Sequence, residues 1–246
     1  PNGRTGATGL SIWANAVDST GHFDSRFANQ TAALDTERTG VVGGFALAND
    51  AVVISIGGGA SKGKYFQNDR NASATVDSNY VGGQAGYTAG ALKMQVGASY
   101  SWHDVTTQRS VLFPGFANAL HSTNEGHTTQ LFGEVSYALL ASDAGRIEPY
   151  FGYSHINTSL NAVQEAGGVA ALSVGAIDRN VDMLHGGVRM AAAMPVAGTG
   201  AIFIPNLSVG LQHSFGDRGG YASASIGGSA PFAILGANLP RDAMEI

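Results

Sequence analysis

The feature that most constrains this chain is strict two-residue alternation. From Leu92 to Trp102 the even positions are Leu92, Met94, Val96, Ala98, Tyr100 and Trp102, and the odd ones are Lys93, Gln95, Gly97, Ser99 and Ser101. Such a run describes a strand with one greasy side and one polar side. Leu131, Gly133, Val135, Tyr137 and Leu139 then face away from Phe132, Glu134, Ser136 and Ala138. Ile147, Pro149, Phe151 and Tyr153 oppose Glu148, Tyr150 and Gly152, and Leu184, Val188 and Met190 oppose His185, Gly187 and Arg189. Phe203, Pro205, Leu207, Val209 and Leu211 oppose Asn206, Ser208, Gly210 and Gln212. Weaker alternation runs through 9–17, 38–47, 51–62, 77–89 and 220–235. About ten strands and no helix are predicted.

Short turns are predicted at Ala48–Asp50, Ala89–Gly90, Ser142–Gly145 and near 195–200 and 236–240. Longer polar stretches fall at 18–36, 63–76, 106–126 and 158–179, with a brief exception at Phe215–Gly220. Alternating short and long connections describe an all-β, antiparallel up-and-down transmembrane β-barrel. The identity of the second face supports that choice over a soluble sandwich. Charged residues are only 13% of the chain, about half the usual share, and Gly is 35 of 246. A water-facing sheet surface carries far more Lys and Glu than this. The sparse polar residues Lys93, Gln95, Glu134, Glu148, Arg189 and Gln212 are therefore expected to line a lumen. A one-residue slip would push the charged ones into lipid. Trp13, Tyr87, Trp102, Tyr137 and Tyr153, near strand ends, suit interfacial girdles. Asp104, His155, Asp182 and His213 have outward parity and lie towards the looped end.

With no Cys, disulfides and thiolate zinc sites are excluded. The net charge of −5 argues against nucleic acid as a partner. No apolar run is long enough for a membrane-spanning helix. The chain opens at Pro1 with no signal peptide, so it is expected to belong to a longer protein. Gly58–Lys64 resembles a phosphate loop but lacks the following Ser or Thr and any helix, so a strand entering a loop is the better reading. His121, Glu125 and His127 read as a solvated polar loop, not a metal site. Glu134 and Glu148 would sit about 13 Å apart along a hairpin, too far to act together, and ion pairing with Lys93 or Arg189 is their expected role. Ser101, His103 and His155 have mixed parity. No catalytic, cofactor or metal residue is assigned, and the chain is not read as an enzyme.

The runs SYSWHDV from Ser99, RSVLFPGFANALHS from Arg109, TQLFGEVSYAL from Thr129 and IEPYFGYSHIN from Ile147 occur in that order. QEAGGVAALSV from Gln164, LHGGVRM from Leu184, LQHSFGD from Leu211 and LPRDAMEI from Leu239 follow. Together they resemble the C-terminal β-barrel translocator domain of type V autotransporters, from about Ile12 to the end. The resemblance implies a 12-stranded outer-membrane barrel with extracellular loops and periplasmic turns. It also implies a pore helix, an N-terminal passenger domain and help from the barrel-assembly machinery. The Pro149 region and Glu165–Gly167–Gly168 are implied to be structural. With ten strands counted and Arg241–Ile246 starting an eleventh, the chain is expected to stop before its last strands, with passenger and pore helix outside it.

The leading functional reading is an outer-membrane translocator that anchors and helps export a passenger. A porin-like diffusion channel without a passenger is the alternative. A barrel hydrolase and a soluble β-sandwich or adhesive solenoid fit the faces less well.

Overall fold

The computed structural model describes residues 9–24, 32–142, 144–195 and 202–245. Its strands are β1 (Gly9–Phe23), β2 (Leu34–Ala48), β3 (Val52–Gln67), β4 (Ala72–Ala89), β5 (Leu92–Phe113), β6 (Phe116–Tyr137), β7 (Leu140–Ser142), β8 (Gly145–Leu160), β9 (Val163–Gln164), β10 (Leu172–Val174), β11 (Ile177–Ala192), β12 (Met194–Pro195), β13 (Ile202–Phe203), β14 (Asn206–Gly216), β15 (Gly219–Ile226), β16 (Phe232–Asn238) and β17 (Asp242–Glu245). Ten of them form one ladder in the order β1-β2-β3-β4-β5-β6-β8-β11-β14-β17, with β7 paired beside β8. Every step in the ladder is antiparallel, so the chain is a meander. Among the described residues the only helical piece is a single turn at Asn68–Arg70.

Nine ladder strands coincide with those predicted, and the tenth does not. Residues 220–235 do not join the ladder. They split at Gly227–Gly228 into β15 and β16, which pair with each other, and β15 pairs in turn with β10 in a separate four-stranded sheet. Asp242–Glu245, expected as an eleventh strand, pairs with β14 as the tenth. The connection after β14 is therefore long, which removes the apparent exception at Phe215–Gly220. The turn expected near 195–200 lies mostly outside the described residues.

The polar stretches at 63–76 and 106–126 are largely strand, contrary to expectation. The strands β5 and β6 run for 22 residues each, roughly 70 Å at about 3.3 Å per residue, where about 9–11 residues cross a bilayer. They meet at Pro114–Gly115, where Gly115 takes a φ of 82°. Proline followed by a positive-φ glycine is the chemistry of a type II turn. His121, Glu125 and His127 thus belong to a strand, not a loop, and His127 stacks on Tyr100 at 5.7 Å. Apolar alternation is lost here because a ribbon outside hydrocarbon has no lipid to face: Val111, Leu112 and Phe113 run consecutively over both faces, while the backbone ladder continues.

The two faces differ in crowding as well as chemistry. Ladder residues that are buried, among them Ser61, Ser78, Ser122, Ser136, Glu148, Tyr150 and Val181, all sit on the polar face. Side chains crowd on the concave side of a curved sheet, so the polar face is the inner one. The apolar face stays open, with Val96 60% and Leu211 65% exposed. On this face Lys62–Asp77, His155–Asp182 and His213–Asp242 pair across neighbouring strands. Tyr87, Trp102, Tyr137 and Tyr153 are exposed on that face. Trp13 is a correction, because its register places it on the polar face, with its indole over Gly44 and Gly57.

Val96→Arg or Leu207→Arg is expected to cost about 2–4 kcal/mol at mid-membrane and to reduce the assembled fraction. Gln95→Arg is expected to leave assembly near wild type. Heat-modifiable migration of membrane fractions checks both.

Candidate functional site

The ladder register brings polar side chains from distant parts of the chain onto one face. Gln95 pairs with Glu134, Glu134 with Gly152, Gly152 with His185 and His185 with Gln212. Paired residues in an antiparallel ladder share a face, and positions two or four apart share it too. Lys93, Gln95, Glu134, Glu148, Arg189 and Gln212 are therefore all on the polar side.

Four of these six meet. Arg189 grips Glu134 with two parallel hydrogen bonds of 2.6 and 2.7 Å. This fork geometry is the strongest form of carboxylate recognition by a side chain. The Glu148 carboxylate, almost wholly buried, takes Lys93 Nζ at 3.0 Å and the Ser136 hydroxyl at 3.0 Å. Arg146 pairs with it as well, and Arg189 stands 4.0 Å away. The Arg189 guanidinium also lies 3.9 Å from the centre of the Tyr150 ring, which spreads across Gly187 and Gly210. His185 approaches Glu134 at 3.6 Å. A cavity of about 400 Å³ opens beside the cluster, lined by Lys93, Gln95, Glu134, Ser136, Glu148 and Arg189 together with the Asn49–Val53 turn. Gln95 faces it without joining the ion pairs, and Gln212 instead donates to Ser214 at 3.3 Å.

Both carboxylates are engaged by cations. What the arrangement does is tie β5, β6, β8 and β11 together in one register. Parity placed Ser136, Tyr150 and His185 on this face without marking them as site residues, and Arg146 was not placed from sequence. The loose candidates Ser101, His103 and His155 are not brought together. His103 bonds Ser78 and Thr128 on the polar face, and His155 bonds Asp182 on the other.

A second cluster holds the connection between β8 and β11. Arg109 donates to both Glu165 oxygens at 2.8 and 2.6 Å and to the Ala170 carbonyl at 2.8 Å. The Leu172 amide donates to Glu165 at 2.9 Å, and His121 and Ala166 exchange backbone bonds. Gly167 has a φ of 117°, and a Cβ there would fall 2.0 Å from the Ala119 carbonyl oxygen. The glycine is required by close approach as well as by dihedral. The polar face is thus covered near its long-connection end by residues 163–172. Burial opposes ionisation of Glu165, but the Arg109 hydrogen bonds, the Leu172 amide and the Arg109 charge outweigh it and hold the carboxyl below its ordinary value.

Two outcomes follow. Lys93→Met with Arg146→Met strands a buried carboxylate and should lower unfolding stability in detergent by about 3–5 kcal/mol, with adding Glu148→Gln restoring most of it. For Glu165 the folded value is depressed, so its stabilising contribution is complete above the ordinary carboxyl value of 4.5 and is lost as pH falls through the folded value. Pepsin cleavage within 161–176 should therefore rise on acidification in the wild type, while Glu165→Gln should be cleaved readily throughout the pH range.

Residues 12–246 match the family described as "Autotransporter beta-domain". An extracellular serine protease of Serratia marcescens is 28% identical over 169 residues, covering 65% of this chain and 15% of that protein. The chain thus spans about one seventh of the curated relatives it matches. In fold it is similar to the translocator domain of the autotransporter NalP from Neisseria meningitidis, with a TM-score of 0.67 at 12% identity, covering 96% of this chain and 84% of that one. The β domain of the Bordetella autotransporter BrkA gives 0.55 at 14% identity, covering 96% and 94%. A strand meander with an open apolar face, a crowded polar face and a match over nearly its whole length places the chain in one group: it belongs to the autotransporter β-domain family of outer-membrane β-barrels.

Proposed function

We propose that this domain is an outer-membrane translocator that anchors an N-terminal passenger and helps carry it to the cell surface. The observation that carries this reading is the unlike character of the two faces of one ladder. The open apolar face is matched to lipid, because hydrocarbon can cover Leu, Val and Phe side chains and cannot satisfy charge. The crowded inner face presents Lys93, Gln95, Glu134, Glu148, Arg189 and Gln212 to a hydrated lumen. The glutamines Gln95 and Gln212, which join no ion pair, offer hydrogen bonds that can be exchanged with water and with a passing polypeptide backbone, while the ion pairs hold the wall in register. No covalent step is required of the barrel, whose work is anchoring and providing a polar path.

The partners of this reading are outer-membrane lipid, the passenger, a pore helix and the barrel-assembly machinery. The edges of β1 and β17 must be met by strand partners within hydrocarbon, since each unpaired backbone group costs several kcal/mol there. The long connections, with the projecting β5–β6 hairpin, face outside. The short turns at 49–51 and 90–91 face the periplasm.

The test uses the full-length gene. Protease-cleavable tags placed at 114–115 should be cut on intact cells, whereas tags at 49–51 should be cut only after permeabilisation. A reporter fused as passenger should become surface-exposed only when the barrel assembles. A reporter that stays periplasmic beside an assembled, ion-conducting barrel would replace the translocator with the diffusion-channel reading.

A further inference from the structure

A row of small and hydrogen-bonding residues crosses the polar face well above the ion-pair cluster. Gly40, Ser61, Ser78, His103 and Gly126 are successive partners across β2, β3, β4, β5 and β6. Ser61 and Ser78 are 8% and 7% exposed. The Ser78 hydroxyl lies 2.8 Å from His103 Nδ1, and His103 Nε2 lies 2.9 Å from the Thr128 hydroxyl, which reaches Thr158 at 3.1 Å. This arrangement locks the imidazole between two hydroxyls.

Beside that row sits Arg38. Its Nη2 donates to the Ser61 oxygen at 3.2 Å, and it forms no ion pair among the described residues. The other polar-face cations are engaged differently. Lys93, Arg109, Arg146 and Arg189 each hold a carboxylate, and Arg179 donates to the carbonyls of Asp217 and Arg218. A guanidinium has five donors and no acceptor, and here one bond goes to a neutral oxygen. Ser61 accepts from Arg38, which leaves its own hydroxyl proton to be placed on an acceptor. The Arg38 guanidinium, which only donates, has a single hydrogen bond among the described residues, and Arg38 is exposed on the face. Gly40 and Gly126 flank the row without side chains.

We propose that Arg38 and Ser61, backed by Ser78 and His103, form a carboxylate subsite for an Asp or Glu side chain of the polypeptide segment that passes along this face. The proposal rests on the reading of the polar face as the translocation path. A carboxylate supplies the two acceptors that match a guanidinium fork. A peptide is favoured over a small anion because Gln84, Gln95, Ser99 and Gln130 continue the same face with groups suited to backbone amides. The segment is held by exchange of water for protein hydrogen bonds, and no bond is made or broken.

The test uses the full-length protein in cells. A photo-crosslinking residue replaces Ser101, two positions from His103 on the same face. The segment of the passenger entering the barrel carries either six glutamates or six lysines. Crosslinking to the glutamate tract should exceed that to the lysine tract by about fivefold, the share one partly solvated Arg–carboxylate pair carries. Arg38→Gln should abolish the preference and Arg38→Lys should keep most of it, with heat-modifiable migration unchanged in both. Equal yields for the two tracts, or a preference that survives Arg38→Gln, would overturn the subsite. If the passenger fails to reach the surface in every background, it is the translocator reading that falls.

Discussion

The structure depends on one requirement: every backbone N–H and C=O that enters hydrocarbon needs a partner from the chain itself. A strand meets that requirement only through its neighbours, so the register of each pair is also the register of every side chain. Alternation then does the rest. Once Val96 points to one side, Gln95 must point to the other, and the ladder copies that choice from strand to strand. A single decision about sidedness thereby sets the placement of Lys93, Glu134, Glu148, Arg189 and Gln212, which lie far apart in sequence.

The inner face carries a cost that the outer one does not. Charges such as Glu134 and Glu148 are removed from much of their water and must be compensated locally. The solution is redundancy: Glu148 has Lys93, Arg146 and Ser136 as partners, and Glu134 has both arms of Arg189 with His185 nearby. Buried ion pairs of this kind contribute less to net stability than to specificity, because breaking one leaves a stranded charge. In a meander whose strands could slide by two residues without changing face, such a cluster distinguishes the correct register from its neighbours.

The fold was legible wherever apolar and polar residues alternate, because lipid contact writes that pattern into each crossing. It became illegible where the ribbon leaves the membrane. Residues 106–126 show no apolar alternation and read as a loop, yet they form an uninterrupted hairpin, because strand pairing needs neighbours and not hydrophobicity. Residues 220–235 erred in the other direction: mild alternation suggested a crossing, and the Gly227–Gly228 turn divided it into a hairpin of the connections. Trp13 was misassigned for a related reason, since nothing in its own surroundings reveals that Gly44 and Gly57 leave a shelf for an indole two strands wide. In the polar cluster, parity located every member, but which charges touch depends on the stagger between strands. The resemblance marked Glu165 as structural, but its partner Arg109 was hidden because residues 106–126 read as a loop.

The Glu134–Arg189 bond reaches across an intervening strand. Its two ends lie on β6 and β11, with β8 between them, so the bond forms only after a third strand has docked. The bond therefore rewards the docking of β11 on β8 only in the register that brings Arg189 across to Glu134, so one strand's placement is checked by a neighbour it does not touch through its backbone.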